Sequence, residues 1–255
     1  MKKYIFCLLI IIALCYSLYF INNEVEHFNN NIMYFTREQG VQFLINNEDK
    51  YYQTFNDIDL QVRNIQKISD YTNNIKNSVV DFSPNIMNEL NTMIMEIKDK
   101  MKDINYDYFN GNKANTIEWK LICIKGQEYE YGLPHTRNDV IILPLEYINS
   151  ASNDSIKKTL FHELIHIYQR KYPNDIQKYL DKHKYKKFKI KNEVGNTRAN
   201  PDLDEWIYKD DDGKIYCSIY NDNPSSILDV VYHPINNSNS EHPYEQMAYE
   251  LSQEV

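Results

Sequence analysis

The sequence predicts an α+β fold, and three observations carry that reading. Ile86, Leu90, Met93, Ile94, Ile97, Met101 and Ile104 step by three and four, the period of one helix face. Ile117–Ile124 and Asp139–Pro144 are short apolar runs with Gly132-Leu133-Pro134 between them, as paired strands have. Residues 152–171 then run without Gly or Pro, which suits one long helix. A chain of 255 residues can bury a real core in one good-sized domain or two small ones. Its net charge of −8 argues against a nucleic-acid partner, which needs a basic face.

In chain order, Met1-Lys2-Lys3 precedes residues 4–21, which carry no charge. That stretch is just long enough to span a bilayer. Ala13-Leu14-Cys15 is a poor cleavage site, so an uncleaved anchor is expected, with secretion after signal cleavage as the alternative. Lys2 and Lys3 lie before the stretch and Glu24 and Glu26 after it. This predicts a single-pass membrane protein, its N-terminus cytoplasmic and the remainder across the membrane. Residues 22–35 read as a polar linker.

Residues 36–110 read as a helical part. Thr36-Arg37-Glu38-Gln39 has the pattern of a capping box opening a helix. Tyr51–Ile68 predicts a second helix. Ser83-Pro84 opens a third, with Pro suited to the first helical position. No catalytic constellation falls in this part.

Residues 111–255 carry the chemistry. The two apolar runs are expected to form an antiparallel sheet beside the next helix, its edge able to take a peptide as an added strand. His135 falls in the loop between them and reads as solvated. The next helix, capped near Ser152–Ser155 and ending near Arg170–Lys171, contains His162-Glu163-Leu164-Ile165-His166. On a helix, positions i and i+4 share a face, so both imidazoles can reach one metal ion. Glu163, beside them, can act as general base on a water held by that metal. The bland reading is an amphipathic helix with incidental histidines. Asp175–Lys189, rich in Lys, reads as a solvated surface helix. Residues 214–220 and 230–232 read as strands, and Pro243 opens a last helix.

A catalytic zinc needs three protein ligands and one open position. A third His at the H-E-x-x-H-x-x-G-x-x-H spacing is absent, so the third ligand must come from elsewhere. Glu245 is the first choice, in the first turn of the last helix. Ala248, three residues on, is small enough to let that helix press on the motif helix. Glu250, then Glu241 or His242, are the alternatives. The bland reading of Glu245 is that it only complements its helix N-terminus. His135, Tyr168, Arg198 and Tyr249 are unranked candidates to stabilise an oxyanion.

Thr159–Arg170, with His242-Pro-Tyr-Glu-Gln-Met-Ala-Tyr249, resembles the zinc metallopeptidases encoded by large DNA viruses, which are similar to gluzincins. Phe35-Thr-Arg-Glu and Asp59-Leu-Gln-Val-Arg63 extend the likeness over most of the chain after the anchor. The resemblance implies a zincin-like fold and a zinc metalloendopeptidase acting on protein or peptide. It implies His162, His166 and Glu245 as ligands of Zn²⁺ and Glu163 as base. His242 departs from it, standing where such sequences often have Asn. The rival expectation is a membrane-anchored structural or interaction protein with a non-catalytic or relic zinc site. Cys123 and Cys217 either pair as a disulfide or are two core thiols. Substrate preference and oligomeric state are not written in the sequence.

Overall fold

The computed structural model describes residues 32–234 and 241–255. The expected anchor at 1–21, and the linker except for its last residues, lie outside them. Among the described residues no helix is long and apolar enough to cross a membrane. Met33–Val255 form one compact unit of mixed α+β structure.

Strand β1 (Ile32–Tyr34) leads into helix α1 (Arg37–Asn46). The Thr36 capping box is present: its side chain accepts from the Gln39 amide, and the Gln39 side chain accepts from the Thr36 amide. The expected helix 51–68 is broken. A 3₁₀ turn at Tyr51–Gln53 gives way to α2 (Asp57–Val62), capped by Asn56, and α3 (Ile68–Ser78) follows. Asn64 between them sits at φ 59°, a left-handed conformation that ends a helix and that Asn tolerates. Strand β2 (Val79–Val80) precedes α4 (Pro84–Met101), which starts at Ser83 as expected and buries Leu90, Met93, Ile94, Ile97 and Met101.

A short hairpin, β3 (Asn105–Tyr106) and β4 (Phe109–Asn110), leads into the one-turn helix α5 (Gly111–Ala114). Then come β5 (Trp119–Ile124), β6 (His135–Arg137), β7 (Val140–Pro144) and α6 (Leu145–Ser150). The motif helix α7 (Asn153–Lys171) is followed by α8 (Pro173–Lys182). Strands β8 (Lys186–Ile190), β9 (Trp206–Lys209), β10 (Ile215–Tyr220) and β11 (Val230–His233) follow, and α9 (Pro243–Ser252) ends the fold.

The first sheet has the order β1-β5-β7-β6, with β2 also on β5. It corrects the expected antiparallel pair: β5 and β7 are parallel, with Leu121 opposite Ile141. The reason is a hairpin not foreseen in the loop. His135–Arg137 extends and turns at Asn138 (φ 55°), so the antiparallel neighbour of β7 is β6. His135 is therefore a buried strand residue, 3 % exposed, and not a solvated loop residue. Strand β2, from the helical part, pairs with β5.

The second sheet is antiparallel in the order β11-β10-β9-β8. It corrects the expected surface helix at Asp175–Lys189. That helix ends at Lys182, and Lys186–Ile190 pairs with β9, its lysines exposed on the sheet's edge. Lysine on an edge strand discourages further pairing. Cys123 and Cys217 are both free and buried, as core thiols.

A buried polar network joins the N-terminal helices to Glu130, Ala199 and Tyr220. The Arg63 guanidinium donates to Glu130 through Nε (3.0 Å) and Nη2 (2.8 Å), and to Asp59 through Nη1 (3.3 Å). Tyr71 and Tyr51 hydroxyls also donate to Glu130, at 2.6 and 3.1 Å. Asp59 Oδ1 accepts from the Tyr220 hydroxyl (2.9 Å) and the Ala199 amide (3.0 Å). Burial alone would raise the Glu130 carboxyl, but Arg63 outweighs it and holds it down to about 2. The network pins the stretch Thr197–Asp202 against α2, and that stretch forms one wall of the site below.

Candidate metal centre

Helix α7 packs against α9, α4 and the β6–β7 side of the first sheet. Phe161, Leu164, Ile165 and Tyr168 fill the core around it. Ala248 is fully buried, as expected for close approach of α9. That approach brings Glu245 onto the two histidines.

The His162 and His166 Nε2 atoms are 3.1 Å apart. Glu245 Oε2 lies 3.2 Å from His162 Nε2 and 3.7 Å from His166 Nε2. Ligand atoms held 2.0–2.1 Å from a tetrahedral zinc lie about 3.3 Å apart, so this spacing fits one ion. The tautomer of His166 fits too. The Gln169 amide nitrogen donates to the Tyr244 carbonyl (2.9 Å), which fixes the amide's orientation. Gln169 Oε1 therefore faces His166 Nδ1 at 3.0 Å and accepts a hydrogen bond from it, which places the proton of the neutral imidazole on Nδ1 and the lone pair on Nε2. Glu245 Oε1 accepts from Asn200 Nδ2 at 3.2 Å, which leaves Oε2 directed at the histidines.

Glu163 is buried beside them. Its Oε2 accepts from the Thr136 hydroxyl of β6 at 2.7 Å. Burial, with the negative charge of Asp202 next in size, pushes its carboxyl up to about 8. Burial would also raise Glu245, but the paired histidines hold it well below the usual carboxylate range. For His166 burial acts downward and is outweighed by Glu245, so its imidazole is raised. Asp202, Glu163 and His166 also offer atoms within 4.8 Å of one another. His166 has only one nitrogen to give, and that nitrogen faces His162. The group with Glu245 is therefore the better cage.

The other candidates separate cleanly. Glu250 accepts from Gln246 (3.1 Å) on the exposed side of α9. Glu241 is paired with Arg198 at 2.5 Å. His242 caps α9: its Nδ1 accepts from the Tyr244 amide (3.1 Å), and its Nε2 faces the Trp206 carbonyl (3.1 Å) and Asp204 Oδ1 (3.2 Å). The departure from the resembled pattern is thus a capping residue. Of the four oxyanion candidates, Tyr168 is committed to Asp175 and Asn110, and Arg198 to Glu241. His135 has Nδ1 against the Leu133 carbonyl and Nε2 against the Tyr129 hydroxyl. Tyr249 stacks edge-on to His162 with centroids 4.6 Å apart, and its hydroxyl has no partner among the described residues. Burial, then the carboxylates of Glu245 and Glu163, raise its pKa and keep it protonated.

His162, Glu163, Glu245 and Tyr249 line a cleft of about 450 Å³, to which Leu133, Ile227, Leu228 and Tyr232 also contribute. Strand β6 is the sheet edge beside it. Its outward amide, Thr136 N, already donates to Asp202 Oδ1 at 2.7 Å. The expected docking of a peptide as an added strand thus meets an occupied position.

Four contributors went unrecognised in the sequence: Thr136, Gln169, Asn200 and Asp202. Gln169 had a legible signal, three residues after His166 on one helix face. The other three reach the site only through tertiary structure. Comparison of the chain with family models, curated proteins and solved structures gave no match.

Proposed function

We propose that this protein is a zinc metallopeptidase of the gluzincin type, with a zincin-like fold, resembling the enzymes of large DNA viruses. The observation that carries the reading is the convergence of His162, His166 and Glu245 from two helices onto one point, with Glu163 buried alongside. Zinc held there supplies a Lewis acid for the peptide carbonyl and a water acidified toward neutral pH. Glu163 takes the proton of the attacking water and delivers it to the leaving amine. The Thr136 hydroxyl orients the Glu163 carboxylate for both transfers. The Tyr249 hydroxyl donates to the oxygen on which charge develops. A peptide lies in the cleft with a side chain against Leu133, Ile227 and Leu228. The uncharged stretch at residues 4–21 anchors the domain to a membrane, with the catalytic part on the far side from the cytoplasm.

The test is hydrolysis of a mixed library of quenched fluorescent peptides by protein stripped with chelator and then reloaded. Activity that is lost on stripping and returns with zinc supports the reading. Zinc binding without cleavage of any peptide would favour a non-catalytic site. Tyr249→Phe is expected to lower kcat about 100-fold or more while zinc content and KM stay near wild type. An unchanged kcat would remove Tyr249 from the mechanism.

A further inference from the structure

The stretch Thr197–Asp202 is held from behind and reaches forward. Behind it, Asn56 Nδ2 donates to the Thr197 carbonyl (3.1 Å), Asp59 accepts from the Ala199 amide (3.0 Å), and Arg63 Nη2 donates to the Ala199 carbonyl (3.4 Å). At its far end Arg170 Nη2 donates to the Pro201 carbonyl at 2.7 Å. Between these clamps the Asn200 side chain makes three contacts. Its Oδ1 accepts from the Asp202 amide (3.0 Å), which closes a turn and fixes which end of the amide faces the cleft. Its Nδ2 then lies 3.2 Å from Glu245 Oε1 and 3.2 Å from Glu241 Oε1.

An amide nitrogen is a neutral donor, and it sits where two carboxylates from one end of α9 come together. Glu241 is anchored by Arg198. Glu245 has no cation of that kind, and Asn200 is the side chain that holds its outer oxygen. A carboxylate held by one oxygen presents the other in a fixed direction. Groups that orient a metal ligand in this way change metal affinity by about 10–100-fold when removed.

We infer that Asn200 is a positioning residue for the metal centre, fixing Glu245 as the third ligand and linking it through Thr197–Asp202 to the buried Arg63–Asp59–Glu130 network. The inference rests on the zinc reading above. It gives the N-terminal helices a part in the site: α2 contributes no group to the chemistry, but it holds the stretch that aims one of the ligands.

The experiment measures zinc affinity by competition with a chromophoric chelator, and the visible d–d spectrum of the cobalt-loaded protein. Both are read for wild type, Asn200→Ala, Glu245→Ala and the double variant. Asn200→Ala is expected to weaken zinc by about 10–100-fold and to alter the cobalt spectrum. In the Glu245→Ala background the same change should alter affinity by less than about twofold, because the group it acts through is gone. Equal losses in both backgrounds would mean that Asn200 only supports the fold locally, and no loss in wild type would remove its role; either outcome overturns the inference. If Asn200→Ala does not fold, Asn200→Ser keeps an oxygen for the Asp202 amide, is too short to reach Glu245, and should show the same loss. Wild-type protein that binds no zinc would sink the underlying reading and this inference together. Wild-type binding with an indifferent Asn200 would sink the inference alone.

Discussion

Glu163→Gln is expected to bind zinc as tightly as wild type and to lose peptide hydrolysis by about 100-fold to 10,000-fold. The amide is nearly isosteric with the acid and can still accept from the Thr136 hydroxyl, so the site keeps its shape. What it loses is the ability to take a proton. On the proposed reading Glu163 suits that transfer by position, buried beside His166 with its Oε2 held by the Thr136 hydroxyl. Steady-state hydrolysis and metal content of the same preparation check this. Retained zinc with retained hydrolysis would contradict the assignment of Glu163 as base.

The second large effect is on stability. Arg63→Met is expected to cost about 3–5 kcal/mol, read from denaturant unfolding, because it leaves Glu130 and Asp59 buried without their cation. The pH dependence should agree. Glu130 is depressed from an ordinary 4.5 to about 2 in the fold. Its contribution is complete above about 4.5 and is lost as pH falls toward 2, as the unfolded chain takes up the proton first. The shift corresponds to about 3 kcal/mol at neutral pH. In Arg63→Met that loss of stability between pH 4.5 and 2 should be much reduced. An acid transition in that window identical to wild type would contradict the role given to the pair.

The local parts of this fold were legible because local chemistry sets them. Thr36, Ser83 and Ser152 each sit at an expected helix start, and each side chain caps a backbone amide. Pro243 at the first position of α9 is the same kind of signal. The pairing of strands was not legible. Whether β5 meets β7 in parallel depends on the three-residue strand at His135–Arg137, whose polar side chains carry no strand pattern. They are buried because Arg137 meets Asp49 and the Thr136 hydroxyl meets Glu163, contacts that span 88 and 27 positions. The lysine-rich stretch Asp175–Lys189 misled in a different way. Lys-rich surface suits helix or edge strand equally well, and the turn at Lys184 (φ 60°) decided the matter.

The site divides in the same way. His162, Glu163 and His166 come from one helix, and their geometry follows from its period. Glu245 is the first choice because it lies in the first turn of the last helix with small Ala248 three residues on, and Ala248 is fully buried in the structure. Asn200 and Asp202 could not be named, since nothing in Arg198-Ala-Asn-Pro-Asp202 says that it will be pressed between α2 and α9.

His162, His166 and Glu245 are proposed to form one zinc cage. Equilibrium zinc titration of wild type, Glu245→Ala and Glu250→Ala tests that proposal most directly. One tightly bound zinc per chain is expected in wild type and in Glu250→Ala, with most of the zinc lost from Glu245→Ala. Wild type without zinc, or Glu245→Ala with wild-type affinity, would contradict it.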